Sequence, residues 1–382
     1  MRTEFETATE NAALKKAIVA RIKSQGPIPF RDFMDAALYH PQHGYYRSRR
    51  EKMGREGDYL TSPEVSAAFG VMLARQLHEM WLAMGQPLRF DIVEAGAGTG
   101  LLCRDILRWT RDHAPDFHSA LAYAIVEVSE PLMERQRDVL AEEGCDVRWS
   151  AELPDGIEGC LLSNELLDSF PVHAVCVRGG ELTEVFVDWD GSRFVDELHP
   201  PSTPEIERYF GRLGLRPGEG CRAEVNLEAP KWMRNAGRSL RRGFVLTLDY
   251  GYEAEELYAP WRADGTLLCF YRHNPSADPY ARLGRQDITS HVDFTTLRRA
   301  GEEAGLQTLG LVSQSEFLTN LGIAEALAPP TEGYVNLEEY YARRRTVSEL
   351  LDPAALGRIR VLHQVKAVKA PHLTGLEGPR NA

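Results

Sequence analysis

The sequence predicts an α/β protein built on a doubly wound parallel sheet. A short apolar strand at residues 90–94 runs into a glycine turn at residues 96–100, and a helical pattern follows over residues 101–113. Apolar strand patterns and helical patterns then alternate, which is typical of βαβ units with right-handed crossovers. After Pro171 apolar and polar residues alternate instead, which predicts that a β-meander interrupts the sheet.

The N-terminal part of the chain is predicted to be helical. Apolar residues recur at a four-residue step over residues 10–25, which predicts an amphipathic helix. Thr61 or Ser62 can cap a later helix with its side-chain oxygen, and Pro63 would then lie in the first turn of that helix. An apolar stripe at helical spacing follows, and we expect it to be core. These patterns predict a helical cap region over residues 1–84.

The other elements of the sheet follow from short apolar runs between turns. Predicted strands cover residues 121–128, 146–149, 160–163, 243–250 and 306–312, and predicted helices cover residues 130–143 and 294–304. Residues 359–368 have mixed periodicity and are predicted to close the sheet as an edge strand. A long loop rich in aromatic residues and prolines is predicted over residues 251–290.

The β-meander is predicted to belong to an insertion. Its turns are expected at Gly179-Gly180 and Asp190-Gly191, and a helical region with a short strand at residues 221–226 follows. Four segments result, listed in chain order: the cap region (1–84), the first part of the core (85–171), a β-rich substrate or partner region (172–226), and the second part of the core with a substrate loop and C-terminal strands (227–382).

Composition narrows the classes of function. A net charge of −12 disfavours nucleic-acid binding, because phosphate recognition needs a basic surface. No apolar run approaches the length of a membrane span, and the N-terminal residues lack the apolar core of a secretory signal. The six cysteines include no C-x-x-C pair. We therefore expect no metal site, and reduced cysteines in a cytoplasmic protein.

The spacing of the glycine turn favours a cofactor other than a dinucleotide. A dinucleotide fingerprint would need a third glycine where Leu101 stands, and the Gly-Lys-Ser/Thr ending of a phosphate-binding loop does not follow. What remains is a turn preceded by an acid, Glu94. This arrangement suits a ligand with a positive charge and hydroxyl groups, such as S-adenosylmethionine (SAM), although a structural βα turn is the alternative.

Acids at two further strand ends extend the predicted cofactor site. Glu127 ends the second strand, where a carboxylate can accept hydrogen bonds from both ribose hydroxyls, the alternative being a solvent-exposed acid. After the third strand, Glu152 and Leu153 could flank the adenine. The predicted site therefore consists of Glu94, Gly96, Ala97, Gly98, Gly100, Glu127, Glu152 and Leu153.

The polar residues that follow the strand at residues 160–163 are the predicted acceptor site. Asn164 and Glu165 would emerge beside the cofactor, because open α/β sheets bind ligands at the carboxyl ends of their strands. A carboxyl pair there would suit a guanidinium, and Glu165 and Asp168 could face the same way on a helical turn. The alternative is a helix cap.

Methyl transfer from SAM is an in-line displacement that the enzyme mainly aligns. Glu165 would hold a guanidinium and draw positive charge onto its far nitrogens, which leaves the attacking nitrogen more electron-rich. Asp249 could border the acceptor pocket or cap a turn. His291 or Asp287 could shuttle a proton, although a lone loop histidine is more often a hydrogen-bonded surface residue.

Several long motifs in one order resemble a known family. They are GDYLTSPE at 57–64, EAGAGTG at 94–100, VEVS at 126–129, SNELLDSFPV at 163–172, LDYGY at 248–252 and QDITSHVDF at 286–294. The family is that of SAM-dependent methyltransferases which includes the mitochondrial protein-arginine methyltransferase that assists assembly of respiratory complex I, and bacterial relatives.

The resemblance implies a seven-stranded class I, Rossmann-like methyltransferase fold with inserted elements. It implies SAM at the glycine turn and at Glu127, with Thr61, Ser62 and Pro63 folding over the cofactor. Ala97 stands where relatives often carry proline. For the mitochondrial member, the resemblance implies that the substrate is an arginine of a complex I subunit.

The leading hypothesis is a SAM-dependent methyltransferase that acts on a protein arginine, with a complex I-type subunit as a candidate substrate. One alternative is an assembly factor that binds SAM without catalytic turnover, and another is a methyltransferase of a different acceptor. A nicotinamide-dependent oxidoreductase is disfavoured by Leu101. No nucleic-acid partner, membrane span or metal is expected, and the sequence leaves the oligomeric state open.

Overall fold

A computed structural model describes residues 10–48, 52–54, 57–144, 146–327, 337–369 and 371–379. The chain divides into two compact units, each assembled from three stretches. The core unit consists of Leu60–Leu166, Met233–Tyr250 and Arg298–Ala382. The accessory unit consists of Met1–Tyr59, Leu167–Trp232 and Gly251–Leu297.

The strands of the described chain are β1 (Ile28–Pro29), β2 (Phe90–Ala95), β3 (Leu121–Val126), β4 (Arg148–Ser150), β5 (Ile157–Asn164), β6 (His173–Arg178), β7 (Glu181–Trp189), β8 (Phe194–His199), β9 (Arg222–Val225), β10 (Leu240–Asp249), β11 (Gly251–Tyr252), β12 (Leu268–Tyr271), β13 (Asn274–Ser276), β14 (Asp287–Thr289), β15 (Val292–Asp293), β16 (Gln307–Ser313) and β17 (Arg360–Lys366).

The helices are α1 (Ala12–Gln25), α2 (Phe30–Tyr39), α3 (Ser62–Val65), α4 (Ala67–Ala83), α5 (Leu101–His113), α6 (Pro115–Ala120), α7 (Glu130–Leu140), α8 (Pro204–Leu213), α9 (Glu228–Ser239), α10 (Ala254–Leu257), α11 (Phe294–Glu303), α12 (Gln314–Asn320), α13 (Leu337–Leu351) and α14 (Thr374–Glu377). Short 3₁₀ turns cover Tyr45–Arg47, Leu167–Ser169, Ile323–Leu327 and Leu356–Arg358.

The core unit contains a seven-stranded sheet in the order β16-β17-β10-β5-β2-β3-β4. The five strands β10, β5, β2, β3 and β4 are parallel to one another. Strand β17 is antiparallel to both β10 and β16. The predicted α/β architecture is confirmed. Apolar residues such as Ile92, Leu162 and Leu246 are fully buried in the central strands, as expected for a parallel sheet covered on both faces.

The predicted position of the last strand is wrong. Residues 359–368 were expected at the edge, but β17 lies between β10 and β16, and β16 is the edge strand. Residues 361–365 are all buried, which requires packing against both faces of the strand. The mixed periodicity therefore marks an inner strand, because a strand covered on both faces shows no alternation.

Several predicted boundaries shift by a few residues. The helix predicted to end at residue 143 ends at Leu140, and the strand predicted over 160–163 extends over Ile157–Asn164. The five cysteines that the structure describes are buried and unpaired, and Cys145 lies outside the described residues. Among the described helices, none is long and apolar enough to cross a membrane.

The accessory unit contains the predicted meander. Strands β6, β7 and β8 pair antiparallel in sequence, and β1 and β9 complete this sheet. Gly179 and Gly180 form the first turn with positive φ angles of 59° and 79°, which glycine adopts without strain. Helix α1 buries Leu14 and Ile18 on the predicted face.

The expected long loop over residues 251–290 contains more structure than predicted. Strands β13, β12 and β14 form a three-stranded sheet within it, because the isolated apolar residues Cys269 and Ile288 pair across β12 and β14 and are buried. The two units also differ from the four predicted segments. The predicted cap region, 1–84, is divided after Tyr59, whereas the predicted insertion lies within the accessory unit.

Candidate cofactor and acceptor site

The glycine turn after β2 needs glycine at three positions. Gly96, Gly98 and Gly100 have φ angles of 70°, 54° and 86°, which other residues adopt only with strain. A Cβ on Gly96 would lie 2.8 Å from Leu166 Cδ1, and one on Gly100 would lie 3.3 Å from Gln136 Cα. The turn leads directly into helix α5, whose first N–H groups face outward from the helix end. The three glycines thus expose the backbone of the turn, which forms a cradle.

Glu127 follows β3, and its carboxylate orientation is fixed. Oε1 accepts hydrogen bonds from the amides of Val128 (2.9 Å) and Ser129 (2.8 Å), and Oε2 accepts one from Gln136 Nε2 (3.2 Å). The Glu127 amide donates to Ser150 O at 3.0 Å, which extends the β3–β4 pairing. Val128 beside it is 50% exposed and offers an apolar contact. A carboxylate held in this way is preorganised to accept hydrogen bonds from hydroxyl groups.

Gln136 on helix α7 connects the glycine turn to Glu127. Its Nε2 donates to Gly98 O at 3.0 Å as well as to Glu127, and its Oε1 accepts from Trp149 Nε1 at 3.0 Å. Sequence analysis missed this residue. The available signal was its position four residues before Leu140, because both lie on the buried face of the helix.

Glu94 at the end of β2 is buried, and Tyr123 OH donates to its Oε2 at 2.6 Å. Burial raises the pKa of Glu94 to about 7, and the hydrogen bond from Tyr123 opposes this rise. Tyr123 is a second residue that the sequence did not reveal. The contact of Glu94 is internal to the sheet, so its role toward a cofactor stays a prediction.

The segment before helix α4 is connected to both predicted subsites. The Ser62 amide donates to Glu165 Oε1 at 3.0 Å, and Ser62 Oγ donates to Gln314 Oε1 at 3.0 Å. Thr99 Oγ1 in the glycine turn donates to Glu64 Oε1. The structure therefore brings this segment to the cradle. Its predicted cofactor-covering residues are Thr61, Ser62 and Pro63.

Glu165 lies directly after β5 in a strained left-handed conformation with φ of 49°. Its amide donates to Leu248 O at 2.8 Å. Burial raises the pKa of the Glu165 carboxyl to about 8; the hydrogen bond from the Ser62 amide lowers it, the negative charge of Asp249 raises it, and the hydrogen bond from Asn164 Nδ2 lowers it. Glu165 is thus an acid whose charge is costly in the absence of a cation.

Asn164 Oδ1 is buried and accepts no hydrogen bond from any residue that the structure describes. The other atom of this amide, Nδ2, donates to Glu165 Oε1 at 3.2 Å, so the oxygen points away from that carboxylate. Buried acceptors are normally paired, which makes an unpaired one beside the half-buried Glu165 a marker of a missing donor.

Asp249 ends β10 and is fully buried. Its Oδ2 accepts from the Leu166 amide at 3.1 Å and its Oδ1 from the Tyr250 amide at 2.9 Å. These bonds match the predicted alternative of a turn cap. A role at the border of an acceptor pocket stays a prediction.

Two further predicted residues in the core unit follow β4. Ser150 Oγ donates to Glu152 O at 2.7 Å, which orders the start of this loop. The Glu152 side chain is exposed, and Leu153 is partly buried. Their predicted place beside an adenine is not tested by these contacts.

The remaining candidates lie in the accessory unit. Asp168 belongs to the 3₁₀ turn Leu167–Ser169, and its main-chain oxygen accepts from the Ser290 amide at 2.9 Å. Glu165 and Asp168 could face the same way only on a helical turn through both, and this condition is not met, because Glu165 is left-handed and the 3₁₀ turn starts only afterwards. The pairing argument for the two acids therefore does not apply.

Asp287 and His291 have partners within the accessory unit. Tyr46 OH donates to Asp287 Oδ1 at 2.8 Å, and burial raises the pKa of this carboxyl to about 7. The His291 amide donates to Thr266 Oγ1 at 3.0 Å, and its ring packs 5.2 Å from the Tyr252 ring. A proton-shuttle role stays a prediction for both residues. Over the described ranges, His, Cys, Asp and Glu side chains form no cluster that could hold a metal ion.

Comparisons with known proteins identify the family of the chain. A family model described as "Putative S-adenosyl-L-methionine-dependent methyltransferase" matches residues 72–312. The chain is 31% identical over 397 residues to the mitochondrial protein arginine methyltransferase NDUFAF7 homolog of Drosophila melanogaster, which covers 95% of this chain and 87% of the fly protein. It is 33% identical to protein arginine methyltransferase NDUFAF7 of Mus musculus, with 80% of this chain and 73% of the mouse protein covered.

A solved structure matches closely in three dimensions. The crystal structure of a superfamily member from Burkholderia thailandensis contains bound S-adenosyl-homocysteine, and it superimposes with a TM-score of 0.87 at 33% identity. The alignment covers 96% of this chain and 95% of that chain. The similarity therefore includes nearly the whole length of both proteins.

Proposed function

The chain belongs to the family of SAM-dependent methyltransferases that its family match and its relatives define, and from that premise we propose that it methylates a nitrogen of an arginine side chain in a protein substrate. The observation that carries this proposal is the pair formed by Glu165 and Asn164. A half-buried acid with a raised pKa lies beside a buried oxygen that lacks a donor. A guanidinium supplies both a positive charge and several N–H donors.

The residues of the core unit fit SAM on two counts. The turn at Gly96–Gly100 exposes backbone at three glycines with positive φ, which lets main-chain groups approach a ligand closely, and the carboxylate of Glu127 is fixed toward an acceptor role. When bound, SAM supplies an electrophilic methyl group on a positively charged sulfur. We propose that Glu127 accepts the ribose hydroxyls and that the turn lies against the nucleoside.

Three smaller contacts complete the proposed cofactor site. Thr61, Ser62 and Pro63 would cover the cofactor, since their segment is held at the cradle by Thr99 and Glu165. The half-exposed Val128 would contact the base from one side. Glu152 and Leu153 would flank the base from the loop after β4.

Glu165 would align the acceptor and redistribute its charge. The lone pairs of arginine nitrogens are delocalised, so the attacking nitrogen is a weak nucleophile. An ionised Glu165 that binds the far N–H groups draws positive charge toward itself and leaves the attacking nitrogen richer in electrons. The Ser62 amide and the Asn164 side chain hold the carboxylate in place. This arrangement contributes orientation and electrostatics, and it needs no strong base.

The acceptor is proposed to be a protein, because both named relatives are protein arginine methyltransferases. The predicted substrate or partner region at residues 172–226 would contribute to its binding. A respiratory complex I-type subunit, which the resemblance implies for the mitochondrial member, is the first candidate acceptor to assay.

We propose that the protein is cytoplasmic, and this proposal rests on the state of its cysteines. The five described cysteines are buried and unpaired, as expected in a reducing compartment such as the cytoplasm. The fly and mouse relatives are named as mitochondrial. Fractionation of cells that express the tagged full chain distinguishes the cytoplasm from a membrane-enclosed compartment.

The transfer itself is tested with SAM carrying a labelled methyl group. We expect label on arginine in proteins incubated with the wild-type chain, identified by mass spectrometry. Glu165→Gln should reduce the transfer rate at saturating SAM by about a hundredfold or more, the scale of losing an electrostatic contact in the transition state. Glu143→Gln is the matched control, because Glu143 is a buried acid paired with Arg108 and Arg111. Wild-type transfer by Glu165→Gln, or label on another residue type, contradicts the proposal.

A further inference from the structure

A single buried amide joins three parts of the proposed cofactor site. Gln136 is fully buried on helix α7, and its side chain contacts the glycine turn, the acid after β3 and the indole of β4. Its Nε2 donates to Gly98 O and to Glu127 Oε2, at 3.0 and 3.2 Å. Its Oε1 accepts from Trp149 Nε1 at 3.0 Å.

The third contact settles the orientation of the amide. An indole N–H can only donate, so the side-chain oxygen of Gln136 must face Trp149. The NH₂ group then faces two acceptors, Gly98 O and Glu127 Oε2, and both need a donor. The reversed amide would set oxygen against both acceptors and NH₂ against a donor. All three partners are therefore satisfied only when Oε1 of Gln136 faces Trp149 and its NH₂ group faces Gly98 O and Glu127 Oε2.

The two acceptors are the parts of the site whose positions matter most. Gly98 is the central glycine of the turn, with φ of 54°, so a bond to its carbonyl restrains the most flexible residue type. Glu127 Oε1 is already fixed by two backbone amides, and Gln136 fixes the other oxygen. The amide thus sets the distance between the cradle and the carboxylate.

We propose that Gln136 is a positioning residue that holds the glycine turn and the Glu127 carboxylate at the spacing that SAM requires. This inference rests on the proposed cofactor site. It predicts an effect on cofactor affinity without an effect on the chemical step, because the hydrogen-bond partners of Gln136 are Gly98, Glu127 and Trp149, which belong to the proposed nucleoside site and not to the acceptor pair Asn164 and Glu165.

The experiment compares two buried glutamines in the full-length chain. Gln136→Met keeps the side-chain volume and removes all three hydrogen bonds. Gln76→Met is the control, because Gln76 is also fully buried on a helix and bonds to Glu79 Oε2 and to the Gly375 amide. Calorimetric titration with SAM should give an affinity about tenfold or more weaker for Gln136→Met and unchanged for Gln76→Met.

The chemical step supplies a readout that a purely structural role would not move. At saturating SAM, kcat of Gln136→Met should stay within about twofold of wild type, while the KM for SAM rises with the dissociation constant. Equal thermal destabilisation of both variants, with unchanged SAM affinity in both, overturns the inference. A fall in kcat without a change in affinity also overturns it.

A second variant keeps the test valid if the first folds poorly. Gln136→Glu is nearly isosteric, and the introduced carboxylate repels Glu127 and Gly98 O when ionised. Once protonated, it regains an O–H donor. Its deficit in SAM affinity relative to wild type should therefore shrink as pH falls from about 8 to about 6. A deficit that does not change with pH contradicts the inference.

Failure of the inference and failure of the cofactor site can be told apart. Glu127→Ala should weaken SAM binding whether or not Gln136 has the positioning role. If Glu127→Ala binds SAM as wild type does, the proposed site itself is wrong. If Glu127→Ala loses affinity and both Gln136 variants keep it, only the role of Gln136 is overturned.

Discussion

Two acids at the same edge of the core sheet are held to different extents. Glu127 after β3 receives three N–H donors on its two oxygens, two of them backbone amides. Glu165 after β5 accepts two hydrogen bonds at Oε1, has a strained backbone, lies near Asp249 and has a pKa raised to about 8 by burial. The first is preorganised as an acceptor of hydroxyl groups. The second gains most from a partner that brings a positive charge.

The difference suggests a division of labour along the sheet edge. Binding a neutral diol brings no charge into the site, so the carboxylate that binds the diol can be held permanently by backbone N–H donors. A cationic acceptor must be bound and released, and an acid whose ionisation depends on that cation favours the charged acceptor over neutral ones. Each of the following changes should affect either cofactor binding or the acceptor site at Glu165, and leave the other unchanged.

The largest expected effect is on pH dependence. Because the pKa of Glu165 is raised to about 8, the carboxyl is protonated below that pH and cannot pair with a guanidinium. The value of kcat/KM for the acceptor should fall about tenfold per pH unit below about 8 and level off above it. Initial rates at subsaturating acceptor measure this. SAM affinity should not follow the same profile, and a flat acceptor profile would show that Glu165 does not need to be ionised.

A smaller effect is expected at the cradle. Gly96→Ala places a side chain at φ of 70°, where it is strained, and 2.8 Å from Leu166 Cδ1. We expect a loss of about 2 kcal/mol in the free energy of unfolding, together with weaker SAM binding. The control is Gly144→Ala, since Gly144 has φ of 67° and its Cβ would meet no described atom within 4 Å. Denaturant titration and calorimetry should show a stability loss in both variants and an affinity loss only in Gly96→Ala.

Local patterns were sufficient to predict the scaffold of this edge. The strands, and the places of the glycine turn and Glu127 at strand ends, follow from periodicity, which depends on neighbours in sequence. Helix α5 was predicted with its observed bounds, Leu101–His113. The position of β17 was missed, because strand order depends on long-range pairing that periodicity does not encode.

The side-chain partners were not predictable for a similar reason. Gln136 is an ordinary polar helix residue in sequence, and only the fold brings it to Gly98 and Trp149, which are 38 and 13 residues away. Tyr123 beside Glu94 is another case. The left-handed backbone of Glu165 also depends on tertiary contacts, since its neighbours in sequence suggested a helical turn. Strain of this kind is typical of functional sites.

The most direct test of the two-acid account is one calorimetric titration with SAM on three proteins: wild type, Glu127→Ala and Glu165→Gln. The account predicts that Glu127→Ala weakens SAM binding by about 2 kcal/mol or more, the cost of losing hydrogen bonds to a charged group. Glu165→Gln should bind SAM as wild type does, although it transfers the methyl group about a hundredfold or more slowly. Equal weakening in both variants, or unchanged binding by Glu127→Ala, would contradict the division between a cofactor acid and an acceptor acid.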